Sequence, residues 1–268
     1  MAGGGVLRKA GCLVRNVLLG CVLGVPVLLI AASMMADRLI FHPPQALDPP
    51  PEERRVVLPD GGNLALIYLA PETEREPVIL YSHGNAEDLS DLAPLLRSWH
   101  RAGFGVLAYD YPGYGRSGGT PSETGVYRNA EAAWRYLTGA CGIAPGRIAV
   151  VGFSVGSGPA CYLAEKYAPA VLVLLAPFTS AFQTVLPQVT LPFDRFPNRR
   201  RVPRIACPVW ILHGTADRVI APEHGKRLWL LAPGPVKRLE LLPGAGHNDL
   251  PGRFDPAELR RFPREREP

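Results

Sequence analysis

The sequence predicts an α/β fold: an open, mostly parallel sheet of eight strands with helices on both faces. Three observations carry this. Eight short apolar runs recur along the chain, at 55–58, 63–70, 77–82, 104–111, 147–153, 170–176, 208–213 and 236–242. Stretches of helical period fall between the later ones, near 88–102, 122–139, 155–167, 222–231 and 256–261. Runs such as VILYS, VLVLLA and VWILH are apolar on both faces, which suits parallel strands covered by helices on each side.

The order of the elements sets the topology. Asp60-Gly61-Gly62 joins the first two runs and reads as a hairpin turn, so the sheet opens on an antiparallel pair. Repeated strand-helix units then imply a doubly wound, parallel remainder. In such sheets ligands bind beyond the carboxyl ends of the strands. The residues that end each run are therefore the ones to search for chemistry.

Ahead of this domain, residues 17–35 read VLLGCVLGVPVLLIAASMM, 19 residues without a charge. As a helix they would rise about 28 Å, close to the hydrocarbon thickness of a bilayer. Arg8, Lys9 and Arg15 precede the run, and Asp37 and Arg38 follow it. The expectation is a basic cytoplasmic segment (1–16), a transmembrane signal-anchor (17–36), a proline-rich connector (37–53) and a catalytic domain (54–268) outside the cytoplasmic membrane. Two alternatives stand beside it. One is a signal peptide cleaved near Ala31-Ala32-Ser33, giving a secreted protein, and the other is a buried core helix.

Composition narrows the function classes. With 47% hydrophobic residues in 268, the chain is neither disordered nor too short for a large core. Its 29 prolines are roughly twice ordinary usage. Lys+Arg 29 against Asp+Glu 24 leaves a mild +5, with no basic stripe interleaved with aromatics, so no nucleic-acid partner is expected. Five cysteines, an odd number, do not make a disulfide scaffold, and no clustered His/Cys spacing calls for a metal or organic cofactor.

The fifth run leads into Gly152-Phe153-Ser154-Val155-Gly156, a G-x-S-x-G elbow. A serine held on a tight strand-to-helix turn needs flanking glycines, because side chains there would clash. The competing reading is a glycine-rich phosphate loop or a plain turn. A serine hydroxyl becomes a useful nucleophile only with a base, itself oriented by an acid. In this type of sheet the partners follow in the order serine, acid, histidine. The seventh run ends at Thr215-Ala216-Asp217 and the eighth at Gly246-His247, so Asp217 is the candidate acid and His247 the candidate base. The sixth run ends Ala176-Pro177-Phe178-Thr179 without a carboxylate, which favours Asp217, with Asp249 a weaker rival. His83 and His213, each before a glycine, read as loop-orienting residues. The developing oxyanion needs two donors. The Val155 N–H is one, and the second comes from the loop 83–86, as Asn85 or else Ala86. Tyr111, Tyr114 and Phe178 are candidates to line the acyl pocket, or equally to pack structurally.

HGNAEDL at 83–89, LAYDYPGYGRSGG at 107–119, GFSVGSG at 152–158, HGTADRVI at 213–220 and GAGHNDL at 244–250 together resemble the α/β-hydrolase superfamily. Within it the chain is similar to small, membrane-anchored hydrolases of the ABHD type and to serine aminopeptidase-like (S33) proteins. The resemblance implies the α/β-hydrolase fold and acyl-transfer chemistry without a cofactor. Some eukaryotic relatives remove acyl groups from cysteine thioesters, so ester, thioester or amide substrates are all implied.

Many members of that superfamily insert a large helical cap after the sixth strand. Here only about 30 residues, 180–206, stand there, broken by prolines, which predicts a minimal lid and an open site. The same segment holds Arg195, Arg199, Arg200, Arg201 and Arg204, either a solvated loop or a patch that attracts anionic headgroups or substrate. The expectation is a membrane-anchored serine esterase or thioesterase. An aminopeptidase-like amide hydrolase and an idle scaffold that binds a partner or lipid are the alternatives.

Overall fold

The computed structural model describes residues 24–262, apart from 25, 29, 34, 46, 188, 190 and 235. It contains one sheet of eight strands: β1 (Glu53–Val57), β2 (Asn63–Leu69), β3 (Val78–Ser82), β4 (Gly105–Tyr109), β5 (Ile148–Phe153), β6 (Val171–Leu175), β7 (Val209–Gly214) and β8 (Lys237–Leu242). Their spatial order is β1-β2-β4-β3-β5-β6-β7-β8. β2 pairs antiparallel with β1 and β4, and every other pairing is parallel. The eight apolar runs thus become the eight strands, within a few residues at each end.

β3 through β7 are buried along their whole length, because each faces an apolar cluster on both sides of the sheet. The outer strands differ. β1 and β8 are only partly covered and carry Arg54, Arg55, Lys237, Arg238 and Glu240. Charge on an edge strand discourages pairing with another chain.

Four helices of ten or more residues cover the faces: α1 (Leu89–Arg101), α2 (Glu123–Arg135), α3 (Ser157–Tyr167) and, after a short α4 (Asn198–Arg201), α5 (Pro222–Leu231). A further short helix, α6 (Leu250–Arg253), follows β8. Their starts are chemically marked. The Asp88 carboxylate accepts the Ser90 N–H at 2.8 Å, and the Ser122 hydroxyl accepts the Gly125 N–H at 3.1 Å, each satisfying a donor that the first helical turn leaves open. Between β6 and β7, 3₁₀ turns at Phe182–Thr184 and Val202–Arg204 flank α4, and among the described residues of this segment there is no longer helix that would make a cap.

Half of the predicted span 17–36, including all of 17–23, lies outside the described residues. Those described within 26–40 are helical. Among the described residues no helix is long and apolar enough to cross a membrane. Val27, Leu28 and Ile30 are 64%, 70% and 61% exposed, so the alternative of a buried core helix does not hold for them.

Candidate active site

Ser154 follows the last residue of β5 and has φ of +52°, a left-handed conformation that an L-residue adopts at a cost of roughly 1–3 kcal/mol. The turn Ser154–Gly156 is 3₁₀ and runs straight into α3. A Cβ on Gly152 would lie 2.4 Å from the Gly156 carbonyl oxygen, so the elbow can close only where that side chain is missing. Ser157, one step further, is fully buried and its hydroxyl accepts from Asn198 Nδ2 at 3.2 Å, tying the lid to α3.

Asp217 and His247 come from the two turns beyond β7 and β8, and those turns are bonded together. The Thr215 N–H donates to Leu242 O and the Ala216 N–H to Ala245 O, both at 3.0 Å. Asp217 has one oxygen, Oδ1, committed to the backbone N–H groups of Val219 (2.8 Å) and Ile220 (2.9 Å). Its other oxygen, Oδ2, accepts His247 Nδ1–H at 2.8 Å. That bond fixes the tautomer and leaves His247 Nε2 as an acceptor, 2.9 Å from Ser154 Oγ. Asp249 caps the His247 turn instead, accepting the Gly246 N–H at 2.8 Å. His213 backs the acid: its Nε2 donates to Ile220 O at 2.9 Å and lies 3.4 Å from Asp217 Oδ2. Burial depresses the His213 pKa and so keeps it neutral.

Asn85 and Val155 both stand beside Ser154 in the same cleft. The Asn85 backbone N–H donates to no protein group among the described residues. Val155 lies in the first turn of its helix, where leading N–H groups have no intrahelical acceptor. Two amides are thus open to an oxygen bound over Ser154.

Two of the three expected pocket residues lie elsewhere. Tyr111 and Tyr114 are fully buried and do not line the cleft. Tyr111 stacks on His83 with centroids 4.1 Å apart and donates its hydroxyl to His83 O at 2.6 Å, while the Tyr114 hydroxyl donates to Asn85 Oδ1 at 2.6 Å. Both support the loop 83–85 from behind. Phe178 does line the cleft.

The cleft has a volume of about 350 Å³. Ser154, only 9% exposed, sits at its floor. Phe178, Phe182 and Val185 come from the lid side, Val219 and Ile220 from the loop after β7, and Leu39, Ile40 and His42 from the segment before the domain. That last wall was missed in the sequence, where 37–53 reads as a connector. The site is therefore more enclosed than the short lid alone implies, although Leu39, Val185 and Val219 at its rim are 59%, 73% and 63% exposed. Among the described residues, the lining contains no carboxylate and no Lys or Arg.

The lid arginines are mostly neutralised locally. Arg195 bridges Asp37 and Glu123, and Arg201 and Arg204 share Glu165. This leaves less positive charge for an anionic ligand than the sequence suggested. Cys141, Cys161 and Cys207 are free thiols, and burial pushes the last up to about 12, far from a reactive thiolate. Among the described residues no group of three His, Cys, Asp or Glu side chains could hold a metal ion.

Comparison with known proteins bears on the family and the fold. Residues 73–199 match the family model described as "Serine aminopeptidase, S33". The chain is 37% identical over 193 residues to human alpha/beta hydrolase domain-containing protein 17B, covering 71% of this chain and 67% of that protein. It is 32% identical over 249 residues to the alpha/beta hydrolase domain-containing protein aho-3 of Caenorhabditis elegans, covering 81% of this chain and 74% of that one. Among solved structures, an esterase of Pyrococcus furiosus superposes with a TM-score of 0.65 at 17% identity, over 78% of this chain and 91% of that one. A predicted hydrolase of Thermoplasma acidophilum superposes at 0.59 with 22% identity, over 80% and 98%. At such identities these two speak to the fold.

Proposed function

The chain belongs to the α/β-hydrolase superfamily, and on that premise we propose that it is a serine hydrolase transferring the acyl group of an ester or thioester to water. One observation carries the reading: Ser154 Oγ lies 2.9 Å from a histidine nitrogen whose partner nitrogen is bonded to Asp217, at the floor of an uncharged cleft.

Ser154 attacks the acyl carbonyl carbon as His247 Nε2 takes its proton. Asp217 holds the ring in place and stabilises the imidazolium. The oxygen that becomes negative meets the N–H groups of Asn85 and Val155. The tetrahedral adduct collapses, and the leaving alcohol or thiol departs with the proton from His247. Water then attacks the acyl-serine by the same route, releasing the carboxylic acid and restoring Ser154.

Peptide-like substrates with a free amino terminus fit less well. An ammonium group brought into the cleft would find no carboxylate among the lining residues, and an unpaired charge there is costly. This favours ester and thioester hydrolysis over the aminopeptidase activity in the family's description.

The test is labelling with a fluorophosphonate, wild type against Ser154→Ala. Labelling of wild type alone is expected. Equal labelling of both, or of neither in folded protein, overturns the reading.

Attachment to the cytoplasmic membrane through residues 17–36, with the N-terminus inside and the catalytic domain outside, is part of the proposal. It is supported by the uncharged run at 17–35 and the basic residues before it. The catalytic domain should resist an added protease in lysed cells no better than in intact spheroplasts. Protection in intact spheroplasts alone would reverse the orientation, and a mature N-terminus near residue 34 would mean secretion.

A further inference from the structure

We propose that Asn85 is a positioning residue through which the segment 37–42 holds the oxyanion hole in shape. The inference rests on the serine-hydrolase reading and extends it to a part of the chain that lies ahead of the catalytic domain.

The Asn85 side chain bonds in three directions. Its Nδ2 donates to Ile40 O at 2.6 Å, and its Oδ1 accepts both the His42 N–H at 3.1 Å and the Tyr114 hydroxyl at 2.6 Å. Both lone pairs of the amide oxygen are therefore used, while the backbone N–H of the same residue is left for the substrate oxygen. Tyr114 is a firm anchor, being fully buried with Tyr111 edge-on at 5.4 Å. Phe41 packs edge-on against Tyr114 at 6.4 Å and against Phe196 of the lid at 5.9 Å. The other end of the segment is fixed as well: Asp37 pairs with Arg195 of the lid at 3.0 Å. One short strap thus joins the lid to the loop that carries the oxyanion donor, and its Leu39 and Ile40 form a wall of the acyl cleft. An oxyanion donor acts only when it is aimed at a fixed point, and loss of a single such donor costs roughly 100- to 1,000-fold in rate. Loosening one should cost less.

The experiment measures steady-state hydrolysis of p-nitrophenyl acetate by full-length wild type, Asn85→Ala, Tyr114→Phe and the double variant. Each kcat is normalised by end-point fluorophosphonate titration, so that misfolded protein does not count. Asn85→Ala is expected to lower kcat roughly 10- to 100-fold with KM within about threefold, and to slow fluorophosphonate labelling in parallel. Tyr114→Phe, which also removes the hydroxyl that accepts the His42 N–H at 3.1 Å, should lower kcat about threefold, and the double variant should fall well short of the product of the two effects, since both side chains hold the same junction of strap and loop. The inference is overturned if titratable Asn85→Ala keeps kcat within twofold of wild type, or if the two effects multiply. If Asn85→Ala does not fold, a Tyr114→Phe kcat equal to wild type overturns it. Wild-type hydrolysis by Ser154→Ala would instead sink the serine-hydrolase reading itself, and the inference with it.

Discussion

A Cβ placed on Gly156 would lie 2.0 Å from the carbonyl oxygen of Ser82, the last residue of β3. The start of α3 is pressed onto the backbone of the neighbouring strand, and that contact sets the height of Ser154 above the sheet. Gly156→Ala must push strand and helix apart. It is expected to destabilise the protein by about 3 kcal/mol, at the upper end for overpacking, and to lower kcat in whatever fraction still folds. Urea unfolding followed by fluorescence checks the first effect, and titrated kcat the second. A neutral Gly156→Ala would mean that the elbow is looser than its contacts indicate.

Asp217→Asn separates folding from catalysis. An asparagine oxygen can still accept the N–H groups of Val219 and Ile220, now bonded at 2.8 and 2.9 Å, so the turn keeps its shape. The amide nitrogen then faces His247 Nδ1 and donates to it. This forces the proton onto Nε2, where it can no longer accept from Ser154. By analogy with the corresponding substitution in serine proteases, kcat should fall about 10,000-fold with little change in melting temperature. A loss below about tenfold would remove Asp217 from its assigned role.

The strands and the three residues that meet beyond them were legible because their signals are local. A doubly covered strand must be apolar on both faces, and Ser154 and Asp217 each sit just past such a run, while His247 follows the partly covered edge strand β8 in a glycine-rich turn. The strap was not legible. Its link to the oxyanion loop spans 43 to 45 residues and uses the Ile40 carbonyl and the His42 amide, groups that every non-proline residue has. For Tyr111 and Tyr114 the sequence leaves lining and packing equally open, and the structure packs both behind the loop. Which way a loop side chain points depends on what packs behind it, here His83 and Asn85, and no periodicity encodes that.

His83 should make the protein sensitive to mild acid. It is fully buried, and desolvation lowers its pKa to about 4. The unfolded chain protonates this histidine below about 6.5. Between those values the unfolded state binds more protons, so stability is lost as pH falls, by up to about 3 kcal/mol for this group. Burial drives the neighbouring Asp110 the other way, raising its pKa and favouring the folded state as acid is added. Only a comparison isolates His83. His83→Asn should be less stable than wild type near neutrality, yet lose less of its urea midpoint between pH 6.5 and 4. Parallel pH profiles would show that His83 does not titrate in this way.

The uncharged lining of the cleft predicts a preference that isosteric substrates can read. L-alanine methyl ester and methyl isobutyrate differ by an ammonium in place of a methyl group, and so present nearly the same shape to the site. The methyl group meets walls such as Phe178, Phe182 and Ile220, whereas the ammonium must leave water without finding a carboxylate. A penalty of roughly 3 kcal/mol for an uncompensated polar group corresponds to about 100-fold in kcat/KM in favour of the isobutyrate. Among unbranched acyl esters, kcat/KM should rise up to about threefold per methylene while the chain still lies against the cleft wall. Leu39→Asp and Val185→Asp each put a carboxylate at the rim, and both should lower the octanoate-to-acetate ratio at least fivefold. They should also narrow the gap between isobutyrate and alanine esters. If wild type instead prefers the alanine ester, the cleft is read wrongly, and the amide-hydrolase alternative takes the place of the esterase.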